Sequence, residues 1–240
     1  MSPENAFLSQ LSGADARELQ RQIRPVHLEL GDVLTACGDL VSHIYFPETA
    51  LLSIVSSSFG GQSVEVGMVG REGGGGLLEI LTKRPTPYTI LVQIEGEAWQ
   101  APASAVRSLS ETSPSFRQAL WDQIAFSTTE ARQAVVCQAR HRGDRRLARW
   151  LLEAMERIGR DGAADDFVPL TQEYLAAMLG MQRTTVSTMA REMQSRGLIR
   201  YQRGRIHIVD RNALEKVACE CRSILREARR AAREGLALSG

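Results

Sequence analysis

Between residues 182 and 191 the chain reads Gln-Arg-Thr-Thr-Val-Ser-Thr-Met-Ala-Arg. Wound as a helix with Val186 and Met189 inward, this segment displays Arg183, Thr184, Ser187, Thr188 and Arg191 along one side, with Gln182 at its start. Those side chains suit the edges of base pairs. A guanidinium can take guanine O6 and N7 together, a glutamine amide can pair with adenine, and threonine methyls can meet thymine methyls. Gln182, Arg183, Thr184, Ser187 and Thr188 are therefore the candidate base readers. Arg191 lies farther back and suits a phosphate, as do Thr171, Arg200, Arg203 and Arg205.

Such a helix has to be held by others. Thr171 is a good N-cap for a short helix over 171–179, which Gly180 stops. Ala176 allows a close crossing, Gly180 makes the turn, and Val186 falls ten residues after Ala176 on the inner face of the second helix. That is helix-turn-helix spacing. Residues 198–201 and 205–209 alternate as two short strands around Gln202-Arg203-Gly204, a basic wing.

The charge agrees with this placement. The 240 residues carry a net +1, with 43% apolar and 24% charged residues. Residues 1–140 hold 10 Lys+Arg against 15 Asp+Glu, a net of −5; residues 141–240 hold 19 against 13, a net of +6. A basic second half is attracted to phosphate. The length allows one large domain or two ordinary ones. No apolar run is long enough to span a membrane, and the start, Met1-Ser2-Pro3-Glu4-Asn5, does not read as a signal peptide. A cytoplasmic protein without a membrane partner is expected.

Upstream, residues 26–100 alternate in short apolar stretches broken by turns, which predicts an antiparallel barrel or sandwich. The run from Gly67 to Gly76 lacks any nucleotide-binding glycine pattern and reads as a mobile loop or a ligand-contact loop through Arg71 or Glu72. From Pro114, the residues Phe116, Leu120, Ile124, Ser127 and Ala131 recur at three- and four-residue intervals, with Trp121, Thr128 and Val135 alongside. This predicts a long helix over 114–139 and, with its small residues, a dimer seam.

Four cysteines, Cys37, Cys137, Cys219 and Cys221, do not form a disulfide framework. Cys219 and Cys221 are too close for a usual zinc knuckle, so inert or structural thiols are expected, with redox or metal sensing as the alternative. No metal site is assigned. His207, on a wing strand, reads as a satisfied or solvent-facing histidine. No nucleophile–base pair or dinucleotide fingerprint marks an enzyme.

The stretches Pro169–Gly180, Arg183–Ser187 and Gly197–Asp210 resemble the winged helix of the CRP/FNR transcription regulators, and the element order from about residue 20 to 215 is similar to theirs. The resemblance implies an α+β fold: an N-terminal antiparallel β-roll (jelly-roll-like) over 1–112, a long dimerisation helix over 113–140, and a C-terminal winged helix-turn-helix with a helical tail over 141–240. It implies a homodimer reading a palindromic operator on double-stranded DNA, and leaves RNA polymerase open as a further partner. Arg183 matches the family's guanine-reading arginine. Thr184 replaces a common glutamate and Thr188 a second arginine, so a changed operator is implied. In the roll, Arg71, Glu72, Arg84 and Tyr88 stand where an effector pocket is expected. The phosphate arginine of cyclic-nucleotide binders is absent from its place, with Arg84 two residues early. No cysteine precedes Cys37 to hold an iron–sulfur cluster, and His27 and His43 alone do not indicate haem. No cofactor is therefore expected. The alternative reading is a small-ligand sensor or binding module whose basic domain contacts protein.

Overall fold

The computed structural model describes residues 4–57, 63–159, 167–202 and 204–237. The turn expected at Phe59–Gly61 and the wing residue Arg203 lie outside them. Two short helices, α1 (Ala6–Ser9) and α2 (Gly13–Gln20), precede the strands β1 (Arg24–Leu28), β2 (Val33–Thr35), β3 (His43–Pro47), β4 (Leu51–Ser57) and β5 (Ser63–Val69). A turn of helix, α3 (Glu79–Thr82), leads to β6 (Thr89–Ile94) and β7 (Gly96–Pro102). Then come α4 (Ala103–Thr112), the long α5 (Pro114–Arg140) and α6 (Gly143–Arg157). The remainder is β8 (Phe167–Pro169), α7 (Gln172–Leu179), α8 (Arg183–Ser195), β9 (Ile199–Gln202), β10 (Arg205–Ile208), α9 (Arg211–Val217) and α10 (Cys221–Ala237).

The first seven strands form two antiparallel sheets, ordered β1-β7-β3 and β2-β6-β4-β5. Alternation along β6 explains the pairing: Ile90 and Val92 turn into the roll against Leu52 and Val69. The fold is thus the mixed helix and antiparallel-strand architecture expected. The wing carries one strand more than its sequence suggests. β8 pairs with β10 on the side opposite β9, so the hairpin is part of a three-stranded sheet.

The glycine run is ordered, which corrects the expectation of a mobile loop. Residues 72–77 are buried, and Gly75 forms an antiparallel bridge with Tyr45. A Cβ on Gly74 would meet the Phe46 ring at 2.8 Å, and one on Gly75 would meet Leu52 at 2.7 Å. The glycines let backbone press against the side chains of the roll. Gly74→Ala is expected to cost about 1–3 kcal/mol by overpacking. Urea denaturation checks this, and an unchanged midpoint would show that Phe46 moves freely.

The side chain of Ser113 caps α5 by accepting from the Phe116 N–H, and Pro114 occupies its first turn. Phe116, Leu120 and Ile124 do not form a seam. They lie 0%, 1% and 9% exposed in a cluster with Phe7 and Phe46 of the same chain. The helix has two apolar faces, and the first clothes the roll. Trp121 and Val135, 53% and 69% exposed, mark the other face.

Candidate functional site

Helix α7 is capped by Thr171, whose hydroxyl accepts from the Tyr174 N–H at 3.3 Å, and ends at Gly180 with φ +59°. Helix α8 follows after two residues. Its inner face, Val186, Ala190 and Met193, is buried in one cluster with Leu175, Ala176 and Leu179 of α7 and with Leu147, Trp150 and Leu151 of α6. The Arg146 guanidinium donates to the Leu179 carbonyl at the end of α7. A backbone carbonyl without a helical partner is satisfied there, and α6 is pinned to the turn. Gly143 lets α6 start against Met181 and Met189: a Cβ there would lie 2.6 Å from the Met189 sulfur.

On the outer face Gln182, Arg183, Thr184 and Thr188 are exposed, and Ser187 is half-buried. The Thr188 hydroxyl donates to the Thr184 carbonyl at 3.0 Å, one turn back on the helix. Arg191 is exposed and donates to the Thr188 hydroxyl. In the wing, Arg200 and Arg205 are exposed, and the Arg205 guanidinium sits 4.7 Å from the centre of the Phe167 ring. The candidate base readers therefore share one face, with arginines of the wing beside it.

The expected effector residues are not gathered in the same way. Arg84 is exposed after α3, Tyr88 is half-buried just before β6, and neither bonds to Arg71 or Glu72 among the described residues. Glu72 is buried. It accepts from Arg157 of α6 at 3.0 Å, and the Arg71 N–H donates to the Arg157 carbonyl.

Arg157 is the centre of a buried network that sequence inspection does not reveal. Its guanidinium also donates to Glu130 of α5, to Glu153 one turn back on α6 and to the Met68 carbonyl of β5. Arg229 of α10 extends the network to Glu153 and Glu156, each at 2.9 Å. Burial opposes the charge on Arg157, but Glu130, Glu72 and Glu153 hold its pKa above the ordinary value. Burial would raise Glu153 as well; Arg157 and Arg229 outweigh it and hold that carboxyl below its ordinary range. One arginine thus ties roll, long helix and helix-turn-helix together. Nearby, burial pushes Glu65 of β5 up to about 7, while it accepts from the Trp150 indole of α6 at 2.9 Å.

A second cluster also escaped inspection. The ligand atoms of Cys137, His141, Cys219 and Cys221 all lie within 4.8 Å of one another. Cys137 and His141 are one turn apart on and just beyond α5, a signal visible in the sequence. Their meeting with Cys219 and Cys221 depends on α10 folding back along α5.

Family comparison agrees with this geometry. A model described as the cyclic nucleotide-binding domain matches residues 25–113, and one described as the Crp-like helix-turn-helix domain matches 145–217. Among solved structures, FixK2 from Bradyrhizobium japonicum is similar at 14% identity and TM-score 0.69, over 82% of this chain and 98% of that one. TTHB099, a transcriptional regulator of the CRP family from Thermus thermophilus, is similar at 18% identity and TM-score 0.67, over 80% and 96%. TTHA1359, a CRP/FNR-family regulator from the same organism, is similar at 21% identity and TM-score 0.64, over 81% and 98%. No curated protein matches the chain closely enough to count as a relative. No helix among the described residues is long and apolar enough to cross a membrane. With both family domains in order along one chain, and α8 presented on the second, the protein belongs to the CRP/FNR superfamily of transcription regulators.

Proposed function

We propose that the protein is a homodimer that binds a palindromic operator, with one α8 in the major groove of each half-site. The observation that carries this reading is the outer face of α8, where Gln182, Arg183, Thr184 and Thr188 are exposed on a helix whose inner face is locked in the core. Arg183 and Gln182 lead into the groove, and Ser187 and Thr188 read farther along it. Arg191, Arg200 and Arg205, with Arg203, meet phosphates. Thr171 caps α7 as an acceptor and keeps its hydroxyl hydrogen for the same purpose. Such a protein works in the cytoplasm, where the DNA is.

The seam of the dimer runs along Trp121, Ala125, Thr128 and Val135, spaced by four, three and seven residues on the uncovered face of α5. Ser127 and Ala131 lie at its border. Val135→Asp is expected to shift the protein to a monomer in sedimentation and to weaken operator binding with it. A dimer that persists at unchanged concentration would remove α5 as the seam. An effector at the loop of Arg71, with Arg84 and Tyr88 on the same domain, would act on α6 directly, because Glu72 in that loop holds Arg157.

Selection of duplexes from a randomised pool by the full chain, followed by footprinting, tests the proposal. The expected product is an inverted repeat with half-site centres one helical turn apart, roughly 34 Å. Recovery of DNA without any preferred sequence would overturn it.

A further inference from the structure

The chain leaves its long helix at Arg140 and enters α6 at Gly143; it leaves the winged helix at the end of α9, Val217, and enters α10 at Cys221. These two connections pass each other, and the four ligand-bearing residues stand where they do so. We propose that Cys137, His141, Cys219 and Cys221 form a closed, four-coordinate site for a thiophilic divalent cation, zinc in the cell, that staples the neck of the DNA-reading domain to the long helix.

The distances suit a single ion. Zinc–sulfur bonds of about 2.3 Å in a tetrahedron separate two sulfurs by about 3.8 Å. The Cys137 and Cys219 sulfurs are 3.6 Å apart, and the Cys221 sulfur is 3.5 Å from His141 Nδ1. Because all four atoms lie within 4.8 Å, the space between them fits one ion better than an iron–sulfur cluster, whose own irons and sulfides would have to fit inside it. Three soft thiolates and one imidazole select zinc over magnesium or calcium.

The surroundings have the form of a metal site. Glu220 accepts from His141 Nε2 at 2.9 Å. A carboxylate can only accept, so the ring proton stays on Nε2 and the Nδ1 lone pair faces the thiols. Gln133 Nε2 donates to the Cys221 sulfur at 3.1 Å, as amide donors do around metal-bound thiolates. Cys137 shares a small cavity with Arg146 and Arg149, cations that offset the net negative charge of three thiolates on a divalent ion. The three cysteines are buried, and four protein ligands leave no open position, so the site is structural. Binding displaces three thiol protons to solvent, with no change in oxidation state.

The staple has a mechanical meaning. His141 stands two residues before α6 and Cys219 two residues after α9, so one ion fixes both ends of the reading domain against Cys137 of α5. The metal assignment stands on geometry alone; its consequence for DNA rests on the proposed function.

The test is cobalt titration of the full chain, reduced and stripped of metal, with visible absorption and circular dichroism. One Co²⁺ per chain is expected, with the intense bands of tetrahedral cobalt thiolate, displaced by Zn²⁺. Cys137→Ser and Cys219→Ser should each lose those bands, and Cys37→Ser, at an exposed thiol elsewhere, should keep them. Glu220→Gln should keep the spectrum and weaken binding by about 10- to 100-fold. Should the serine variants fold poorly, zinc must still raise the melting temperature of the unaltered chain. Absence of tetrahedral bands from the folded, reduced chain would overturn the site. Iron with acid-labile sulfide in protein purified without oxygen would overturn its single-ion character. Operator affinity is expected to rise about tenfold on zinc loading; unchanged affinity with zinc bound would overturn the coupling and leave the site standing.

Discussion

Arg157→Leu is expected to destabilise the folded chain by about 3–5 kcal/mol, the cost of breaking a buried ion pair from one side. The leucine fills part of the space but leaves Glu72, Glu130 and Glu153 buried without the cation they share. Burial already raises the Glu130 carboxyl, and without Arg157 it rises further; Glu153 keeps Arg229 but loses Arg157 and rises as well. A carboxyl whose folded pKa is raised stabilises the fold below its unfolded pKa, and that contribution is lost as pH climbs through the folded value. The deficit of the variant should therefore shrink toward acid and grow toward neutrality. Adding Glu130→Gln should recover part of the loss. Urea denaturation at several pH values measures both, and a loss below about 1 kcal/mol that ignores pH would show that the network carries no stability.

Arg183→Ala is expected to lower operator affinity on the order of 10²–10⁴-fold while binding to unrelated DNA barely changes. A bidentate arginine–guanine contact discriminates by about 1–3 kcal/mol, and a dimer makes it twice. Arg200→Ala is the comparison. An exposed wing arginine on a phosphate should weaken all duplexes alike and flatten the salt dependence by about one unit of slope. Fluorescence anisotropy with the operator and a scrambled duplex across salt concentrations separates the two effects. An unchanged ratio between operator and scrambled DNA in the Arg183 variant would remove that residue from base reading.

The helix-turn-helix was legible because its signals are local. Thr171 caps, Gly180 turns, and Ala176 and Val186 pack one helix pair within sixteen residues. The strands of the roll were legible for the same reason, since alternation is visible within five or six residues. What escaped depends on contacts between distant positions. Arg157 meets Glu72 from 85 residues away, and Cys137 meets Cys219 from 82. Helix α5 misled differently: its period was plain, but a period does not say which of two apolar faces the chain keeps for itself. Phe116 and Leu120 went to the roll because α1, carrying Phe7, lies against them. The glycines at 73–75 looked loose because a missing side chain gives no sign of the neighbour that fills its place.

The cluster that buries α6 also contains Leu51, Met68 and Ile94 from the roll. Sensor and reader domains are often pictured as cassettes that evolution trades between proteins. Here the trade is restricted. A foreign reader grafted after Arg140 would face those three side chains with an unmatched surface, and this reader grafted elsewhere would uncover Trp150 and Leu151. Substitutions at Leu51, Met68 and Ile94 are therefore constrained by partners on α6, far downstream in the chain, and descent should have changed the two halves in step.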